Sequence, residues 1–260
     1  MVREKLKYEN DVCFEINIGE DEVPEYDVLV AGFPGTGLIG GIASEQLINT
    51  LDLKQVASID CNEFPPTAVI FEGIPRRPVR FFAGEKFLLV KSDMVIPPNL
   101  SSSLAKTIIN FAIDQGIEEV IIFDGIPKRD RESEDEEEAR DKVWGVLSSH
   151  AAKTEAEKLD LDIISRGAIS GISSSLLLNA HENNVKAVGM LAEGKPNMPD
   201  PRASATLLQR FADYRDIDIE TDSLIQSAEK LEEQYAQMVD QANKAQKDMD
   251  RKSAHPPLYG

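Results

Sequence analysis

Basic charge is scarce in this chain. Its 260 residues carry 28 Lys and Arg against 46 Asp and Glu, a formal net charge of −18. Binding to nucleic acid rests on clustered Lys and Arg that neutralise phosphates, so the shortage argues against a nucleic-acid partner and against an anionic membrane surface. An acidic surface of this kind keeps a protein soluble, as in a high-salt cytoplasm. Cysteine is also scarce: Cys13 and Cys61 form no CxxC pair. That excludes a disulfide framework and points to a reducing cytoplasm. No apolar run approaches the roughly 20 residues that span a bilayer. The N-terminal MVREKLKYEND lacks the apolar core of a signal peptide. The expectation is a soluble, cytoplasmic protein. His150, His181 and His255 have no metal spacing, so no metal site is expected.

What the chain does have is an organising stretch, Asp27 to Gly41, DVLVAGFPGTGLIGG. The apolar run Val28–Ala31 reads as a buried parallel strand. A glycine turn follows, and then a helical pattern through Ile39, Ile42, Leu47 and Ile48. This is the opening of a βαβ unit. Further strands are expected over 12–18, 55–60, 68–71, 120–124, 162–169 and 185–191, with a hairpin of 79–82 and 86–91. Helices are expected from Ser101 or Ser102 to about Gln115, over 144–159, in the stretch containing Leu176 to Leu178, and over 202–214. Alternating strands and helices predict an α/β fold with a mainly parallel sheet flanked by helices.

Three segments are predicted: an α/β domain over 1–218, a C-terminal helix over 219–252, and a tail over 253–260. In the helix, Leu224, Ala228, Leu231, Tyr235, Met238, Ala242, Ala245 and Met249 recur in alternating steps of four and three. This seam suits either a coiled coil or a face lying on the domain. The two prolines of SAHPPLYG end the helix and leave an extended, flexible tail. The acidic run Glu132–Glu138 reads as a solvated loop or the first turn of a helix, with no ligand spacing among its carboxylates.

Gly35-Thr36-Gly37-Leu38-Ile39-Gly40 is a literal G-x-G-x-x-G between strand and helix, and Asp60 stands at the end of the next predicted strand. Gly35, Gly37, Gly40 and Asp60 are thus candidates for a phosphate cradle and a ribose carboxylate. The interposed Gly32-Phe33-Pro34 lengthens the turn. The competing reading is architectural, with the glycines allowing close packing and positive φ. No Walker lysine follows, which excludes a P-loop. Asp60, Asp93 and Asp124 each end a candidate strand, where they serve either a ligand or a cap. No catalytic constellation emerges, and neither a cofactor nor an enzymatic activity is expected; the alternative reading is a nucleotide- or nucleoside-binding enzyme using Gly35, Gly37, Gly40 and Asp60.

The stretch Gly32–Gly40, the break Glu63-Phe64-Pro65-Pro66, the turn Gly125-Ile126-Pro127 and the run Gly167–Gly171 together resemble the proteasome assembly chaperone 2 family. The resemblance spans most of residues 12 to 215. It implies a fold related to nucleoside phosphorylases without established catalysis, and self-association as in archaeal members. The last residues, Leu258-Tyr259-Gly260, look like the hydrophobic–Tyr–any-residue ending of proteasome activators and some assembly chaperones. That likeness implies ATP-independent docking on the α-ring of the 20S proteasome.

Overall fold

The computed structural model describes residues 4–9, 13–19, 25–84, 87–128, 142–195 and 198–228. The strands are β1 (Glu4–Glu9), β2 (Cys13–Ile18), β3 (Val28–Gly32), β4 (Lys54–Asp60), β5 (Val69–Phe71), β6 (Ile74–Arg76), β7 (Val79–Ala83), β8 (Leu88–Ser92), β9 (Glu119–Pro127), β10 (Val143–Leu147), β11 (Asp162–Ile163) and β12 (Lys186–Gly194). The α-helices are α1 (Ile39–Thr50), α2 (Pro98–Asp114), α3 (Lys153–Lys158), α4 (Ile172–Glu182) and α5 (Pro201–Arg215).

Ten strands form one sheet in the order β1-β2-β4-β7-β8-β3-β9-β12-β10-β11, and β5 and β6 make a separate two-stranded hairpin. At the centre, β8, β3, β9 and β12 run parallel. Beyond them β7, β4, β2 and β1 are added antiparallel, and β10 pairs antiparallel with β12. The fold is α/β as expected. The sheet, however, is mixed, with five of nine neighbouring pairs antiparallel, rather than mainly parallel and nucleoside-phosphorylase-like. For β7 and β8 the reason is connection length. The few residues between β7 and β8 make a hairpin, whereas a parallel neighbour needs a crossover of a dozen or more residues.

The central strands read as largely apolar runs because both faces are covered. Leu29 and Ala31 of β3 face one core, built with α2 and α4. Val28 and Val30 face the other, built with α1, α3 and α5. In that second core Phe211 of α5 meets Phe87 and Phe123 edge-on, with ring centroids 5.4 and 5.2 Å away. Such aromatic pairs add about 0.5–1.5 kcal/mol to their burial.

Two local expectations need correction. The helix predicted over 144–159 is instead strand β10, a 3-10 turn at His150–Ala152 and the short α3. Of the strand predicted over 162–169, only Asp162–Ile163 forms. Residues 222–228 are helical, and Leu224 packs into the second core. The remainder of the expected 219–252 helix, the acidic run and the tail ending in Leu258, Tyr259 and Gly260 lie outside the described residues. Among the described residues no helix is long and apolar enough to cross a membrane.

Candidate functional site

The parallel strands deliver their ends to one edge, where ligands of open α/β sheets bind. The glycine turn sits there. From β3 the chain passes through Phe33, Pro34 and Gly35 into a 3-10 turn, Thr36–Leu38, and then α1. Gly37 has φ of 62° and Leu38 has φ of 52°. The first suits glycine; the second costs Leu38 on the order of 1–2 kcal/mol.

The neighbours of this turn are protein. A Cβ on Gly35 would overlap the Asp124 carboxylate, and one on Gly40 would overlap the Phe123 carbonyl. On the other side, Asp200 N–H donates to the Gly37 carbonyl at 2.8 Å. Asp200 Oδ1 also caps α5 by accepting from Ala203 N–H at 3.1 Å. The turn is therefore clamped between the end of β9 and the start of α5, and Gly35 and Gly40 permit backbone approach.

The Asp124 carboxylate lies against this turn at Gly35. Burial pushes its carboxyl up, although the Ser173 hydroxyl and the Gly125 N–H, 2.7 Å from Oδ1, both favour the charged form. A carboxyl group thus faces Gly35, where a cradle would hold phosphate.

Asp60 is not brought to this turn. Its strand β4 lies three places from β3, roughly 14 Å at the usual strand spacing. There it accepts from its neighbour Cys61 N–H at 2.9 Å and pairs with Arg77. Gly35, Gly37 and Gly40 lie together; Asp60 belongs to another part of the edge. Asp93, just past β8, is held by Arg80 at 2.5 Å and Lys91 at 2.7 Å. Burial raises its carboxyl, but those two cations outweigh burial and hold it below the usual range. His181 Nδ1 lies 2.7 Å from the Ser148 carbonyl. Among the described residues no group of three His, Cys, Asp or Glu is placed to hold a metal.

One feature escaped the sequence reading. On the α1 side, β2, β4 and β7 leave a groove of about 710 Å³. Val56, Ser58, Arg80 and Phe82 lie along its strands, Glu45, Ile48 and Asn49 come from α1, and Phe71 and Arg76 come from the β5–β6 hairpin. Beside it lies a chain of charges in which Lys91, almost wholly buried, bridges Glu45 and Asp93, and Asp93 in turn holds Arg80. The available signal was the presence of Arg80 and Lys91 inside otherwise apolar strands. The hairpin also exposes Ile70, Phe71 and Ile74.

A family model described as the PAC2 family matches residues 29–239. The crystal structure of Pyrococcus furiosus PbaA, an archaeal homolog of proteasome-assembly chaperone, is 30% identical. The match covers 91% of this chain and 97% of that one, with a TM-score of 0.76. Pyrococcus furiosus PbaB, an archaeal proteasome activator, shares the fold with a TM-score of 0.74 at 21% identity, over 86% of this chain and 98% of that one. An uncharacterised protein of Methanocaldococcus jannaschii is 29% identical over 235 residues, 90% of this chain and 93% of its own length. Of these relatives, one is described as a homolog of a proteasome-assembly chaperone and one as a proteasome activator.

Proposed function

The chain belongs to the PAC2 family, and from that premise we propose that it binds the 20S proteasome core without ATP, as an assembly chaperone or gate-opening activator. The observation that carries this reading is the likeness to PbaA along nearly the whole of both chains. The contact is assigned to Leu258-Tyr259-Gly260. The terminal carboxylate pairs with a lysine in a pocket between neighbouring α-subunits. The Tyr259 ring and hydroxyl fix orientation, and Leu258 fills an apolar site. ATP independence is supported by the sequence of the turn: Leu38 and Ile39 stand where a nucleotide-binding loop would carry Lys and Ser or Thr.

A single short tail binds weakly because ordering it costs free energy. A homo-oligomer offering several tails binds far more tightly through effective concentration. The test is a pull-down with purified 20S core, comparing the full chain with Tyr259→Ala and with a chain lacking 258–260, at matched oligomeric state. Both variants are expected to lose the core particle. Undiminished binding by the shortened chain overturns the assignment. Hydrolysis of a fluorogenic peptide by mature 20S separates the roles: an activator accelerates it, and a chaperone that acts only in assembly does not.

A further inference from the structure

The groove beside α1 holds more donor capacity for an anion than the chain itself uses. Arg80, which lines it, is 7% exposed. Its guanidinium is fixed from two sides: Nη2 donates to Asp93 at 2.5 Å, and the Phe82 ring lies against it, 5.1 Å from Cζ to the centroid. Among the described residues Nη2 is the only nitrogen engaged, and the buried Nε has no partner. Arg76 of the β5–β6 hairpin lines the same groove, is exposed, and pairs with no carboxylate among the described residues. A guanidinium presents a planar fork of donors that fits a carboxylate.

The charges limit how much anion the groove accepts. With the ion pairs beside it, it holds four cations, Lys54, Arg76, Arg80 and Lys91, and three carboxylates, Glu45, Asp52 and Asp93. Lys54 is paired with Asp52 at 2.6 Å, and Lys91 and Arg80 with Glu45 and Asp93. The positive charge of Arg76 is left over, in a chain of net charge −18. A monoanion balances it. A phosphate monoester, with about −1.5 to −2 at neutral pH, exceeds it.

Apolar lining comes from Phe71, which is 58% exposed, and from Ile48 of α1. Covering that surface adds hydrophobic free energy to the charge pairing. The volume of about 710 Å³ lies in the range of small-molecule sites. We propose that the groove between α1, β4, β7 and the β5–β6 hairpin is a receptor site for a small organic monocarboxylate with an aromatic or branched aliphatic body. Arg76 supplies the balancing charge, Arg80 its unused donors, and Phe71 and Ile48 cover the body. The groove shares no residue with the glycine turn or with 258–260. The inference therefore goes beyond the proteasome reading and does not depend on it.

The probe is 4-phenylbutanoate, titrated into the full chain and followed by saturation-transfer NMR. Saturable binding with a Kd of about 1 mM or tighter is expected, the scale for a ligand of about a dozen heavy atoms. The uncharged 4-phenylbutanamide, of the same shape, should bind about tenfold more weakly, since a charge-assisted pair is lost. The dianionic 3-phenylpropyl phosphate should also bind more weakly. Arg76→Gln should cost about tenfold and Phe71→Ala several-fold. Lys106→Gln removes the same charge from α2, which packs on the other core, and should change nothing. Arg76 and Phe71 are exposed, so equal melting temperatures without probe establish that these variants fold. A probe-dependent rise in melting temperature, lost in Arg76→Gln, gives a second readout. Absence of saturable binding overturns the proposal, as does equal affinity for the amide or an unchanged Kd in Arg76→Gln. A loss in Lys106→Gln as large as in Arg76→Gln would mean that overall charge governs binding, and would also overturn it. Equal or tighter binding of the phosphate overturns the choice of a monocarboxylate.

Discussion

Gly35 and the Asp124 carboxylate occupy adjoining space so closely that a single methyl group on the glycine would overlap it. The turn that opens the α/β unit is therefore packed from outside by the end of β9. A dinucleotide motif would need that side open for pyrophosphate.

Substitution at these glycines separates close approach from chain flexibility. Gly40→Ala forces a Cβ against the Phe123 carbonyl, which is backbone and cannot swing away. A loss of about 2–4 kcal/mol is expected, the scale of overpacking and backbone strain. Gly41→Ala, one residue along α1 with nothing within 4 Å, should be neutral or stabilising by about 0.5–1 kcal/mol because Ala favours the helix. Urea titrations of the two variants check the pair, and equal losses would contradict the close-packing account.

Asp93 neutralises two poorly solvated cations, Arg80 and Lys91. Asp93→Asn leaves Glu45, half exposed, as the remaining acidic partner of Lys91. A loss of about 2–4 kcal/mol is expected, near the lower end for a broken buried pair because Asp93 keeps some exposure. Its folded-state carboxyl titrates below the ordinary 3.8. The stabilisation is thus present above that value and is lost as pH falls through the folded one. Stability measured below pH 3.8 should decline less steeply in the variant.

Asp124 behaves in the opposite sense. Burial raises its folded-state titration above the ordinary 3.8, so the native state holds its proton longer than the unfolded chain. Stability therefore falls as pH rises from 3.8 through the folded value. Asp124→Asn keeps an oxygen to accept the Gly125 N–H and removes the titration. The variant should be at least as stable as the parent at pH 7, with the advantage absent below pH 3.8. Melting temperatures across that range decide it.

The parts of the fold that were legible from the chain were those whose partners are local. Val28–Ala31 had to be covered on both faces, and the glycine turn had to lead into a helix. The β7–β8 hairpin followed from its short turn. The reading failed where distant pairing decided the outcome. Trp144 looked helical in context, yet its strand pairs with β12 and its indole donates to Glu193 at 2.9 Å. Strand β1, EKLKYE, carries little apolar signal and exists through its register with β2. Likewise, Asp60 follows α1 in sequence at the spacing of a ribose ligand, but the antiparallel additions carry β4 three places from the turn. The groove was invisible for the same reason: Arg76, Arg80 and Glu45 meet only after folding.

The two rims of the large sheet discourage pairing with another chain. At one rim stands β1, alternating Glu and Lys with Leu and Tyr; at the other, β11 is two residues long. Charged or very short border strands discourage runaway strand-on-strand growth. These rims therefore disfavour stacking of copies into fibres through the main sheet, and favour contacts through side chains over a shared backbone ladder.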